Sequence, residues 1–152
     1  MADSVYLLEK NFTTVIAIDP SDGFSEIAKV IKHPNLKTEN IKIEDYDFPE
    51  NEFNIINAQF SLPFIGKKSF EEVWPNIHIA LASGGIFCGQ LFGSQDTWNT
   101  VDSSLIFQTK KEVEDLISPF EIIFFEEIEN DGVTATGAEK HWHFFNILLR
   151  KR

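Results

Sequence analysis

The sequence predicts one α/β domain over residues 1–152, with a mostly parallel sheet closed by an antiparallel hairpin. Three observations predict it. Short apolar runs alternate with helical patterns along most of the chain. The run Val15 to Ile18 ends in Asp19 and passes directly into a helix start at Pro20-Ser21-Asp22. The last two apolar runs, Phe120 to Ile128 and Phe144 to Leu149, have no helix between them, so they read as an antiparallel pair.

Residues 2–10 read as a short helix, with Val5 and Leu8 on its apolar face. A strand over 14–18 follows. Asp22 then caps a helix whose Phe24, Ile27, Ala28 and Ile31 fall at i, i+3, i+4 and i+7, ending before Pro34. A short strand is expected at Ile41 to Ile43, then the acidic turn Glu44-Asp45-Tyr46-Asp47, then a stronger strand from Phe53 to Ala58. Ser69-Phe70-Glu71-Glu72 has the form of a capping box, opening a helix that carries Phe70, Val73, Trp74, Ile77 and Leu81 on one face. Pro75 near its first turns predicts a kink or a late start. Gly84-Gly85 turns the chain into the strand Ile86 to Phe92, and a second capping box, Thr109 to Glu112, starts a helix through Ile117 that Pro119 closes. Gly132 and Gly137 belong to the polar connection before the last strand.

A chain of 152 residues buries roughly two-thirds of its unfolded surface. With 24 acidic against 13 basic residues the formal charge is -11, a field that repels phosphate backbones and anionic bilayers and sets nucleic acid and membranes aside as partners. The single Cys88 lies in an apolar run, where a thiol acts as a small buried hydrophobe, and a lone cysteine fits a reducing, cytoplasmic setting. No run is long enough to span a bilayer, and the amino terminus lacks signal-peptide character.

An acid ending a buried strand can accept both hydroxyls of a ribose, which gives Val15 to Ser21 the look of the second strand of a nucleotide-binding sheet. Together with Phe48-Pro49-Glu50-Asn51-Glu52-Phe53-Asn54-Ile55-Ile56, Gly84-Gly85-Ile86-Phe87 and the closing hairpin, it resembles the class I S-adenosylmethionine-dependent methyltransferases of small-molecule type. The resemblance covers the whole chain, with Asn54 where that family commonly has aspartate. It implies a Rossmann-like three-layer sandwich, S-adenosylmethionine as cofactor and a small-molecule acceptor. It also implies a shortened amino terminus. The family's first strand and glycine-rich turn would precede Asp19 with a helix between, whereas only eighteen residues do so here, none of them glycine.

By that resemblance Asp19 accepts from the ribose hydroxyls and Pro20 shapes the turn beside them, while Glu44, Asp45 and Tyr46 lie where the family places a contact to adenine. Asn57 ends the strand that faces the methyl group. Gln59 could orient an acceptor with Asn57, and Phe60 and Phe64 could exclude water. Trp98 and His141 fall near the expected substrate mouth. Ala58 and Gln59 stand where methyltransferases acting on amino groups of nucleic acids and proteins carry two prolines, which argues against those acceptors. No catalytic base is expected, because a sulfonium donor asks the protein for alignment and a dry pocket. His141 and His143 share a strand face, but no third ligand accompanies them, so no metal is expected.

Two other readings stay open. One is a non-catalytic methyltransferase-like domain acting through a homodimer or a partner chain that covers strand edges left by a missing strand. The other is a dinucleotide-binding oxidoreductase domain of the NAD type, which also places an acid after its second strand.

Overall fold

The computed structural model describes residues 1–102 and 104–152. They fall into two compact units, Met1–Asp47 and Phe48–Arg152. The α/β class and the antiparallel closing hairpin are as the sequence predicts.

In the first unit, α1 (Ala2–Glu9) leads to β1 (Val15–Ile18), α2 (Asp22–Val30), β2 (Leu36–Glu39) and a 3-10 turn at Ile43–Asp45. β1 and β2 pair in parallel from Val15↔Leu36 to Ile18↔Glu39, the arrangement that a helical crossover permits. Val15, Ala17 and Phe24 are buried within it. The strand expected at Ile41 to Ile43 lies instead at Leu36–Glu39, because the four residues of β1 are fully matched there and Asn40 ends the ladder. Strand propensity favoured the isoleucines; pairing decided otherwise. The cap of α2 is Ser21 rather than Asp22: Ser21 Oγ accepts from Phe24 N at 3.3 Å. Asp19 Oδ1 already takes the Ser21 amide, which holds Ser21 extended and leaves Asp22 as the first helical residue.

The second unit contains β3 (Phe53–Ala58), α3 (Lys67–Ala80), β4 (Leu81–Gly93), the two-residue β5 (Phe107–Gln108), α4 (Lys110–Ile117), β6 (Glu121–Val133) and β7 (Glu139–Arg150). The sheet order is β3-β4-β7-β6, with β5 paired to the end of β4. β3 and β5 run parallel to β4, and β7 runs antiparallel to both β4 and β6. One face carries Phe87 and Leu91 of β4 with Phe145, Ile147 and Leu149 of β7, all buried. Phe70, Val73, Trp74 and Ile77 of α3 and Val113 and Ile117 of α4 are buried as well, and the Trp74 ring lies 5.2 Å from that of Phe87. Each such side chain stabilises the unit by about 1.5–3 kcal/mol.

The Thr109–Glu112 capping box is present as predicted, with both of its hydrogen bonds. The cap expected at Ser69 falls instead at Gly66, three residues earlier, whose φ of 79° lets the chain turn into α3, so that Ser69 lies inside the helix. The helix continues through Pro75. β4 begins directly after α3, and Gly84 (φ 74°) sits in an irregular stretch between the pairs Phe53↔Leu81 and Ile55↔Ile86. Gly132 belongs to β6, opposite Lys140, so the hairpin turn is confined to 134–138.

Candidate functional site

In the first unit the relevant residues lie beyond the carboxyl ends of β1 and β2, the side on which parallel sheets open their ligand crevices. Asp19 is half-buried, and its Oδ1 accepts from Ser21 N at 2.8 Å. Asn40, which sequence reasoning missed, donates its amide to Asp19 O at 2.8 Å and Ser21 O at 3.0 Å. It therefore fixes the backbone on either side of the exposed Pro20. Glu44 and Asp45 belong to the 3-10 turn and Tyr46 follows it; Glu44 and Tyr46 are half-buried, Asp45 exposed.

In the second unit the carboxyl end of β3 opens onto a chain of amides that crosses the sheet. Gln59 Nε2 donates to Asn57 Oδ1 at 2.8 Å, and Gln90 Nε2 donates both to Gln59 Oε1 at 2.6 Å and to Asn146 Oδ1 at 3.2 Å. Asn146 Nδ2 reaches Glu126 Oε2 at 3.1 Å. Gln90 Oε1 accepts from Phe60 N at 3.0 Å, holding a residue whose φ is 43°. A bulky residue in that left-handed region is strained, and such strain concentrates at functional sites. Cys88 is only half-buried and its Sγ lies 3.1 Å from Asn57 Oδ1, so it is not the fully buried hydrophobe the apolar run predicts. The sheet leaves this face half-exposed.

Next to the amides, the expected wall residues do come together. Phe60 and Phe64 lie 6.2 and 5.5 Å from Phe92, and Trp98 lies 5.9 Å from the same ring. Phe144 adds an edge 5.4 Å from Phe60. Phe92 is buried at the hub, while Phe60 and Phe64 remain 41% and 50% exposed, so the cluster presents aromatic surface to solvent. Phe64, Trp98, Val101, Asp102 and Leu105 line a cavity of about 380 Å³ beside it. The signal for Gln90 and Asn146 was legible in outline: each is a lone amide inside an apolar strand run.

Behind Trp98 lies a buried ion pair. Lys140 and Asp96 have side chains 1% and 0% exposed and bond directly. Asp96 also accepts from Trp98 N at 2.9 Å and His143 N at 3.2 Å. The Lys140 ammonium sits 4.3 Å from the Trp98 ring and 4.1 Å from Trp142, so aromatic faces complete its cage. His143 Nδ1 accepts from Gln95 N at 3.0 Å, which makes Nε2 the protonated nitrogen that donates to Glu127 at 3.1 Å.

His141 takes a different place from the other expected residues. Its backbone N–H donates to Thr97 Oγ1 at 3.0 Å, beside Trp98, but its ring faces Asp131 at 2.7 Å and Glu129 at 3.3 Å. Hydrogen bonding to Asp131, then to Glu129, raises its pKa above the ordinary 6.5. Among the described residues no group of three or more ligating side chains is arranged for a metal ion.

A family model described as "Methyltransferase domain" matches residues 3–89. The solved structure of an S-adenosylmethionine-dependent methyltransferase from Methanosarcina mazei is 20% identical, with a TM-score of 0.69 over 97% of this chain and 86% of that one. The 1,6-didemethyltoxoflavin-N1-methyltransferase of Burkholderia thailandensis, solved with 1,6-didemethyltoxoflavin and S-adenosylhomocysteine, is 17% identical, with a TM-score of 0.67 over 98% of this chain and 65% of that one. The N-methyltransferase NodS of Bradyrhizobium japonicum, solved with S-adenosylhomocysteine, is 14% identical, with a TM-score of 0.64 over 91% and 66%. No curated protein sequence matches the chain.

Proposed function

This chain belongs to the methyltransferase-domain family, and we propose that it binds S-adenosylmethionine and directs its methyl group to a small-molecule acceptor. The observation that carries the reading is the placement of Asp19. It directly follows β1 of a parallel pair, precedes the capped helix α2, and commits only Oδ1 to its own turn. An ionised carboxylate accepts without donating, so Oδ2 and the remaining lone pair of Oδ1 suit two ribose hydroxyls. Pro20 shapes the turn beside them. Glu44, Asp45 and Tyr46 form the adenine side, where an acid accepts from an amine and an aromatic face lies along the ring.

The cofactor, when bound, supplies a sulfonium-activated methyl group. The protein's part is alignment and exclusion of water. Asn57 and Gln59 act as amide hydrogen-bonding groups whose orientation is set by Gln90, and Phe60, Phe64 and Trp98 provide apolar wall. His141 contributes through its backbone hold on Thr97, next to Trp98. The first glycine in the sequence is Gly23.

Calorimetric titration of the chain with S-adenosylhomocysteine tests the reading, with NAD as the comparison ligand. Binding of S-adenosylhomocysteine that is lost in Asp19→Ala is expected. Protection by NAD alone would transfer the site to dinucleotide chemistry.

A further inference from the structure

Among the described residues that line the cavity beside the aromatic cluster, the one polar side chain is an acid. Asp102 faces Phe64, Trp98, Val101 and Leu105 across about 380 Å³, within the range of small-molecule pockets. Its position is built. The Asp102 amide donates to Trp98 O at 2.9 Å, and Ser104 donates to Asp102 Oδ1 through both N (2.9 Å) and Oγ (2.5 Å). Ile106 N donates to Pro63 O at 2.9 Å, tying the same segment to the 3-10 turn at Leu62–Phe64 that carries Phe64. Both sides of the cavity are thereby fixed to each other.

Ser104 uses Oδ1 only. Among the described residues Asp102 Oδ2 accepts no hydrogen bond, and no lysine, arginine or histidine pairs with the carboxylate. The two Ser104 bonds hold the Asp102 carboxyl below the usual carboxylate range, so it stays ionised. An unpaired carboxylate beside the rings of Phe64 and Trp98, 6.4 Å apart and edge-on, complements a cation with an apolar body. The formal charge of -11 favours the approach of the same kind of ligand. Lys140 does not oppose this, since its ammonium on Trp98 is neutralised by Asp96.

We propose that this cavity is the acceptor subsite and takes a small organic ammonium, with its charge at Asp102 Oδ2 and its apolar body against Phe64 and Trp98. Calling it the acceptor subsite rests on the methyl-transfer reading; its preference for an organic cation does not. The ammonium anchors the ligand, whichever of the ligand's atoms receives the methyl group.

Tryptamine and indole-3-propionate share a ring and differ in charge, and titrating each into the full chain under calorimetry tests the assignment. Tryptamine is expected to bind more tightly by about two- to fivefold, the scale of one exposed ion pair. Asp102→Asn keeps the size of the side chain and an acceptor for Ser104, and should erase the difference without shifting the thermal midpoint. Val101→Arg, which brings a cation to the cavity without touching the ring packing, should weaken tryptamine as well. Equal binding of the two probes, no binding of tryptamine at millimolar concentration, or an Asp102→Asn protein with the preference intact would each overturn the proposal. A parallel titration with S-adenosylhomocysteine separates the two readings: tryptamine binding without it sinks methyl transfer and keeps the cation site, and the reverse result does the opposite.

Discussion

Gly93 lies directly against the imidazole of His143: a Cβ at position 93 would overlap Nδ1 and Cγ of the ring. The sequence spacing of Gly85, Gly89 and Gly93 suggests room for a packed helix, yet Gly93 makes room for a side chain of β7 and Gly89 for the Ala58 carbonyl of β3. The ring cannot retreat easily, because Gln95 N and Glu127 hold its two nitrogens and Phe145 lies 5.1 Å from it.

Gly93→Ala should therefore destabilise the second unit by about 1–3 kcal/mol, the usual cost of overpacking a filled core. Thermal unfolding would report it as a lowered midpoint. The combined variant Gly93→Ala with His143→Ala should recover part of the loss if the ring is the obstacle.

Breaking the Lys140–Asp96 pair should cost about 3–5 kcal/mol in either direction, since a buried charge is left without its partner. The two halves are not equivalent. Lys140→Met leaves Asp96 with two backbone donors, from Trp98 and His143, whereas Asp96→Ala strands the ammonium and releases both amides. Urea denaturation should rank Asp96→Ala as the less stable variant, with near-ultraviolet dichroism showing disturbed tryptophan packing in it.

Gln90→Met removes the acceptor for Phe60 N and the donors to Gln59 and Asn146 together. The strained Phe60 turn then loses its main tether, while the apolar face of β4 is unchanged. Amide exchange at Phe60 should quicken by roughly fivefold or more, the scale of one lost hydrogen bond. Exchange at Phe87 and Leu91 should stay as it was.

His141 gives the second unit a pH dependence whose sign follows from its raised pKa. The folded state holds the proton more tightly than the unfolded one, through Asp131 first and Glu129 second. The contribution is thus complete below 6.5, the unfolded value, and disappears as pH rises through the higher folded value. Thermal midpoints measured across that window should fall with rising pH more in the parent chain than in His141→Gln, and proton NMR of the imidazole should show the elevated titration directly.

Much of the fold was legible because its signals act within one or two turns. The Thr109–Glu112 box, the 3.6-residue pattern of Phe70 to Ile77 and the strand Phe53–Ala58 each stand where local chemistry puts them. Local signals misled at Ile41 to Ile43 and at Ser69, where a neighbouring strand and a positive-φ glycine set the boundary instead. The candidate site divided in the same way. Asp19, Phe60, Phe64 and Trp98 are visible as residues at strand ends and loops, whereas Asn40, Gln90, Phe92 and Asn146 take their roles from partners distant in the sequence.

What the sequence determined by itself is the α/β order, the position of Asp19 after a strand, and the strong negative charge, because each depends on neighbouring residues or on composition alone. Tertiary structure decided which polar groups meet. Gln90 and Asn146 are 56 residues apart, Asp96 and Lys140 are 44 apart, and Gly93 is fitted to a ring on another strand. Those pairings follow from strand register, and a register is an energy shared among whole strands, which no local stretch of the sequence carries.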